Sequence, residues 1–137
     1  MKIYTEIPAK SILKNSVFIY PTETCYGLGC DVTRENLVRR IYAIKNRSYK
    51  KPISWIVADF KMAERFVEFS AKARELAGKF WPGQLTLVLP LKKKYARALC
   101  ASTDARIGIR ISSCVISSEI SRVLHSPIEA TSANLSA

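Results

Sequence analysis

Lys45-Asn46-Arg47 sets an ammonium and a guanidinium fork one residue apart, and Lys51-Pro52 adds another cation just beyond. If the chain runs extended there, residues 45 and 47 project to the same side and grip phosphate oxygens or a carboxylate. The plainer alternative is that cations gathered at a helix C-terminus answer its dipole and hold no ligand. Three further stretches carry groups of comparable use. Pro21-Thr22-Glu23-Thr24-Cys25-Tyr26-Gly27-Leu28-Gly29-Cys30-Asp31 offers hydroxyls and two glycines that let the backbone turn or approach a ligand closely, although such residues also make ordinary connectors. Ala130-Thr131-Ser132-Ala133-Asn134-Leu135-Ser136 supplies hydroxyls and main-chain N–H groups, the makings of an anion-binding nest or of a helix N-cap. In Ile107-Gly108-Ile109-Arg110-Ile111 an arginine interrupts a β-branched run; pointing inward it demands an anion, pointing outward it demands nothing.

Other chemistries find little support. The four cysteines, Cys25, Cys30, Cys100 and Cys114, include no C-x-x-C pair, and His125 is the single histidine. That pattern speaks against a structural zinc and supplies no base to activate a thiol. In a reducing compartment such thiols mostly fill core space. With 22 Lys and Arg against 11 Asp and Glu, the net charge of +11 favours a polyanionic partner, a nucleoside triphosphate or RNA; a lysine-rich solvated surface is the bland reading. Lys92-Lys93-Lys94 follows an apolar run and reads as a solvated strand end.

The elements that must position these groups alternate. Val17–Tyr20 reads as a buried strand ended by Pro21. Thr33 is placed to cap a helix from about Arg34, with Leu37, Val38, Ile41 and Ile44 on one face and Arg39 and Arg40 off it. Ile53–Ala58 reads as a strand, Asp59–Lys79 as helical with Gly78 near its end, and Trp81-Pro82-Gly83 as a turn. Leu85–Leu89, Ile107–Ile111 and Ile128–Thr131 read as strands and Ile116–Leu124 as a helix. This order predicts an α/β sheet covered by helices. At 137 residues and 48% apolar content the expectation is one domain with one core. No run approaches the roughly 18 apolar residues of a membrane span, and the first residues lack a signal peptide's apolar block, so a soluble, cytoplasmic protein without a membrane partner is expected.

Taken together and in order, P-T-E-T-C-Y-G-L-G-C-D, K-N-R-x-x-x-K-P, W-P-G-Q-L-T-L-V-L, I-G-I-R-I and T-S-A-N-L-S resemble the YrdC-like threonylcarbamoyl-adenylate synthase family, over about Val17 to Ser136. The resemblance implies a single α/β domain over 1–137, a twisted mixed sheet flanked by helices with a concave basic cavity. It implies a signature tetrad on Lys45, Arg47, Ser132 and Asn134, a threonine-binding hydroxyl on Thr24, an ATP-approaching cation on Lys51 and an arginine for the amino acid on Arg110. The implied activity is that of a nucleotidyltransferase: L-threonine, bicarbonate and ATP give L-threonylcarbamoyl-adenylate and pyrophosphate, for threonylcarbamoyladenosine modification of tRNA. A carbamate formed on threonine attacks the α-phosphate, so no protein nucleophile is implied. The protein aligns two anions and stabilises charge at phosphorus. Magnesium is expected to arrive with ATP, held by phosphate oxygens and water. The product is expected to pass by transient contact to a threonylcarbamoyl transferase complex.

Three positions depart from the family pattern: Gln84 and Ser112 stand where proline is usual, and the chain stops at Ala137, where the family continues. The last is expected to mean that the C-terminal part of the usual domain is absent, in a short form or a fragment. Two rival readings share the same residues, a double-stranded RNA or tRNA binder without catalysis and a carbamoyl-adenylate-forming domain. A steep salt dependence without threonine dependence marks the first, and the lack of any attached domain counts against the second.

Overall fold

The computed structural model describes residues 1–99 and 104–134; Cys100 and the end of the last motif, Leu135-Ser136-Ala137, lie outside them. In chain order the elements are α1 (Lys10–Lys14), β1 (Phe18–Pro21), β2 (Tyr26–Gly29), α2 (Glu35–Lys45), β3 (Ser54–Ile56), α3 (Phe60–Phe66), α4 (Ala71–Phe80), β4 (Leu87–Pro90), α5 (Lys93–Leu99), β5 (Arg106–Arg110), α6 (Val115–Leu124) and β6 (Ile128–Ser132). The strands form one mixed sheet in the order β1-β2-β6-β3-β5-β4, in which only β3 and β5 pair in parallel.

The two faces of the sheet follow from strand alternation. Trp55 packs with Val57, Met62, Phe66 and Ile109 under α3 and α4, whereas its neighbour Ile56 packs with Tyr20, Ile120, Leu124 and Ile128 beneath α6. A third cluster, Leu28, Cys30, Leu37, Ile41, Tyr42 and Ile53, seats α2. Cys30 thus fills core as expected, while Cys25 is exposed.

Several local expectations are corrected. Pro21 does not end the ladder: it pairs with Tyr26 inside β1, where only Tyr20 is buried. A proline is tolerated there because β1 is an edge strand and needs no second partner for its backbone. The glycine-bearing segment that reads as a loop is itself a strand, β2, closing a hairpin with β1. Thr33 does not cap α2. Asp31, 2% exposed, accepts instead from the Thr33 N–H at 2.9 Å, the Thr33 hydroxyl at 2.7 Å and the Ser126 hydroxyl at 2.8 Å, tying the approach to α2 to the turn before β6. The expected long helix is two. Asp59 caps α3 by accepting from Met62 N–H and Ser70 caps α4 by accepting from Ala73 N–H. The break between them is held open because Val67 bridges to Leu91 and the Glu68 N–H donates to the Pro90 carbonyl. Gly78 does lie near a helix end, in the last turn of α4, whereas Lys93 and Lys94 open α5 rather than trailing from a strand. The short α1 has no counterpart in the sequence reading.

Candidate functional site at the end of the sheet

Lys45 is the last residue of α2, and it lies on the buried stripe of that helix with Leu37 and Ile41 rather than on its solvent side. Only 4% exposed, it extends its ammonium to the open end of β6. Nζ donates to the Ser132 carbonyl at 2.8 Å and to the Asn134 carbonyl, and approaches Asn134 Oδ1 at 3.4 Å. The Ser132 hydroxyl in turn donates to Asn134 Oδ1. Three residues expected at one site, Lys45, Ser132 and Asn134, are therefore in contact, and the bonds are charge-assisted.

Arg47 takes another course. Asn46 caps α2 in the left-handed conformation, φ 49°, so residues 45–47 are not extended and the two cations do not share a side. This corrects the expected grip of Lys45 and Arg47 on one ligand group through an extended backbone. Arg47 Nε donates to the Lys51 carbonyl at 2.9 Å and Nη2 to the Pro52 carbonyl at 3.1 Å, so the fork holds the loop that leads into β3. Lys51 contributes its main-chain oxygen here while the residue itself is exposed. Beside Arg47 a shallow depression of about 250 Å³ is lined by Arg39, Tyr42, Ala43, Asn46, Arg47 and Tyr49. Tyr49 stacks on Tyr42 with ring centroids 4.4 Å apart and an interplanar angle of 10°.

The β1–β2 hairpin supplies the other half. Its tip is organised by Thr22, whose hydroxyl donates to the Cys25 carbonyl at 2.6 Å and accepts from the Thr24 and Cys25 N–H groups at 3.2 Å. Thr24 is exposed, with Oγ1 3.1 Å from Thr22 Oγ1. The Ala133 N–H donates to the Tyr26 carbonyl at 3.0 Å, which sets the turn end of the hairpin beside the Ser132–Asn134 segment. Yet Arg110, at the far end of β5, reaches Glu23 in that tip: Nη1 donates to Oε1 at 2.7 Å. Since β6 and β3 intervene between β2 and β5, the tip folds across the sheet to make this contact. Ser112 Oγ donates to the second Glu23 oxygen. Arg110 is thus the inward arginine, and its anion is a carboxylate of the chain itself.

Beneath the site lies an acid that the sequence reading did not single out. Glu129 on β6 stands opposite Trp55 on β3 and is 4% exposed. Burial pushes its carboxyl up to about 8, against the opposing pulls of the Trp55 indole N–H and the Arg47 charge. Among the described residues neither Trp55 Nε1 nor Glu129 Oε2 has a partner at hydrogen-bond distance, so burial outweighs both pulls. Burial, with Glu129 nearby, likewise raises the Tyr42 hydroxyl to about 12. Glu23 was visible only as a member of a motif, and Ser112 only as a departure from one. A lone Glu between Ile128 and Ala130 in a strand carries no sequence signal of a buried carboxylate.

The chain matches the model of the Sua5/YciO/YrdC family, described as "telomere recombination", over residues 10–137. It is 36% identical over 131 residues to the threonylcarbamoyl-AMP synthase of Pyrococcus abyssi, a match spanning 95% of this chain and 38% of that protein. The chain therefore spans well under half the length of that curated relative. Among solved structures, P. abyssi Sua5 complexed with L-threonine superposes with a TM-score of 0.84 at 34% identity, over 93% of this chain and 38% of that one. The solution structure of the MTH1692 protein from Methanobacterium thermoautotrophicum gives a TM-score of 0.75 at 33% identity, over 100% and 68% of the two chains.

Proposed function

The chain belongs to the Sua5/YciO/YrdC family, and from that premise we propose that it forms L-threonylcarbamoyl-adenylate and pyrophosphate from L-threonine, bicarbonate and ATP, for threonylcarbamoyladenosine modification of tRNA. The observation that carries this reading is the joining of Lys45 to Ser132 and Asn134 across the end of the sheet, with Arg47 one residue beyond. That end holds cations suited to phosphate, while Thr24 and Arg110 on the hairpin side suit an amino acid's hydroxyl and carboxylate. Lys51, exposed in the segment between α2 and β3, approaches ATP.

The reaction asks little covalent chemistry of the protein. Threonine's amine forms an N–C bond with bicarbonate, a C–O bond breaks and water leaves, giving a carbamate. Its oxygen attacks the α-phosphate, the bond to the bridging oxygen breaks, and pyrophosphate leaves. The enzyme, a nucleotidyltransferase in this reading, holds two anions in line and spreads the charge that grows at phosphorus. Magnesium enters as the counter-ion of ATP, with phosphate oxygens and water as its ligands. Among the described residues no three His, Cys, Asp or Glu side chains converge to hold a metal ion. No described helix is long and apolar enough to cross a membrane, and we place the work in the cytoplasm, with transient delivery of the product to a threonylcarbamoyl transferase complex.

Pyrophosphate release from ATP, with L-threonine and bicarbonate each present or omitted, tests the proposal. Release that needs both substrates and is lost in Lys45→Ala and Arg47→Ala supports it. A folded chain that releases none, yet binds double-stranded RNA or tRNA with a steep salt slope, makes nucleic-acid binding the better account; the net charge of +11 is the observation behind that second reading.

A further inference from the structure

We infer that Glu23 is the positioning residue of the amino-acid end of the site: with Ser112 it fixes the Arg110 guanidinium so that the donors left open meet the carboxylate of an α-amino acid. The inference deepens the synthase reading and rests on it. Arg110 and Glu23 are each only 13% exposed at the side chain, and their contact is made through one guanidinium nitrogen, Nη1. Nε and Nη2 bond none of the described residues and are not among the fully buried atoms without partners, so both keep some access to solvent. A guanidinium held at one corner keeps a second edge for a bidentate carboxylate.

The hold is itself anchored. Ser112, 2% exposed, donates to Glu23 Oε2 and accepts at 3.1 Å from the N–H of Cys114, the residue that precedes α6. Glu23 is therefore tied both to β5 and to the start of a helix, and its own segment is closed by the Thr22 bonds to Thr24 and Cys25. Because Thr24 is the next residue, one rigid tip sets the spacing between a hydroxyl for the substrate and the arginine for its carboxylate. An unheld arginine surrenders its rotamer freedom when a ligand binds, and fixing it beforehand removes that cost from the affinity. Glu23 acts through Arg110 and is not itself a ligand group.

Isothermal titration of the chain with L-threonine, with L-threoninamide (no carboxylate) and with ATP separates the possibilities. Glu23→Ala weakens L-threonine by about tenfold, the scale of one long side chain ordered on binding, and leaves threoninamide and ATP unchanged. Glu23→Gln keeps a carbonyl acceptor for Nη1 and restores most of the affinity, and Ser112→Ala falls between the two. Unchanged or tighter L-threonine binding in Glu23→Ala overturns the inference, the tighter case marking Glu23 as a plug. Equal losses for threonine and threoninamide overturn it too, since they report general damage. If Glu23→Ala does not fold, Ser112→Ala carries the test: a loss confined to L-threonine supports the inference and no selective loss removes it. Failure of the unsubstituted chain to bind L-threonine at all overturns the synthase reading, and this inference with it.

Discussion

Lys45 donates its ammonium to the main-chain carbonyl of Ser132 at 2.8 Å, although 87 residues separate them. The contact converts a helix-terminal lysine into a bridge between α2 and the open end of β6. Among the described residues this cation is bonded only to neutral oxygens, which orient it without cancelling its charge.

Removing that ammonium is expected to loosen the strand end before it touches anything else. Lys45→Met keeps most of the apolar stem but leaves the Ser132 and Asn134 carbonyls unanswered, a loss of about 1–3 kcal/mol. Urea denaturation reads the loss, and hydrogen exchange at Ser132 to Asn134 locates it. A variant as stable as the parent with unchanged exchange contradicts the structural role.

Arg47 is expected to resist its conservative exchange. Its fork spans two successive carbonyls, those of Lys51 and Pro52, and a lysine ammonium cannot reproduce that geometry. Arg47→Lys therefore costs about 1 kcal/mol and speeds amide exchange through Ser48 to Lys51, while α2 stays protected. Protection in that loop identical to the parent's would mean that the fork holds nothing in solution.

Glu129 makes stability depend on pH in a defined direction. Its native pKa of about 8 stands above the ordinary 4.5, so folding takes up a proton between those values. The burden is absent at and below the unfolded pKa, grows as pH rises through the window, and levels off above about 8. Glu129→Gln is accordingly expected to gain little stability near pH 5 and on the order of 5 kcal/mol above pH 8. Chemical denaturation of both proteins across this range checks it, and an equal gain at both ends would dismiss the titration.

Gly29 is required by a close approach. A Cβ there would stand 2.2 Å from the Glu129 carbonyl oxygen and 2.8 Å from the Tyr20 ring, and the first of these is backbone that cannot swing aside. Gly29→Ala is expected to cost about 3 kcal/mol, read by the urea midpoint, with lost exchange protection in β2 and β6. Gly78→Ala is the contrasting control, since nothing lies within 4 Å of a Cβ at Gly78 and the residue is inside α4; a small gain is expected there.

Local pattern carried the α/β class, because alternating apolar runs and helical stripes are set by which side chains must leave water. β3, β5, β6 and α6 fell close to their predicted positions for that reason, and the motif order pointed to the family that the comparisons establish. What the sequence could not decide were the interactions that join distant segments. That Val67 would bridge to Leu91 and split a helix, that Asp31 rather than Thr33 would organise the entry to α2, and that a glycine-rich stretch would pair as β2 all depend on neighbours far along the chain.

The same division runs through the site. Sequence alone marked Lys45, Arg47, Lys51, Ser132, Asn134, Thr24 and Arg110 by type and motif. Only the fold decided that Lys45 continues the buried stripe of α2 and so reaches β6, that a left-handed Asn46 turns Arg47 away from it, and that Glu23 crosses the sheet to Arg110. A charge's chemistry is written in its side chain, but its partner is chosen by the packing that brings two remote backbones within a few ångströms. That choice gave Arg110 a carboxylate of its own chain and left Glu129 buried without a partner for Oε2.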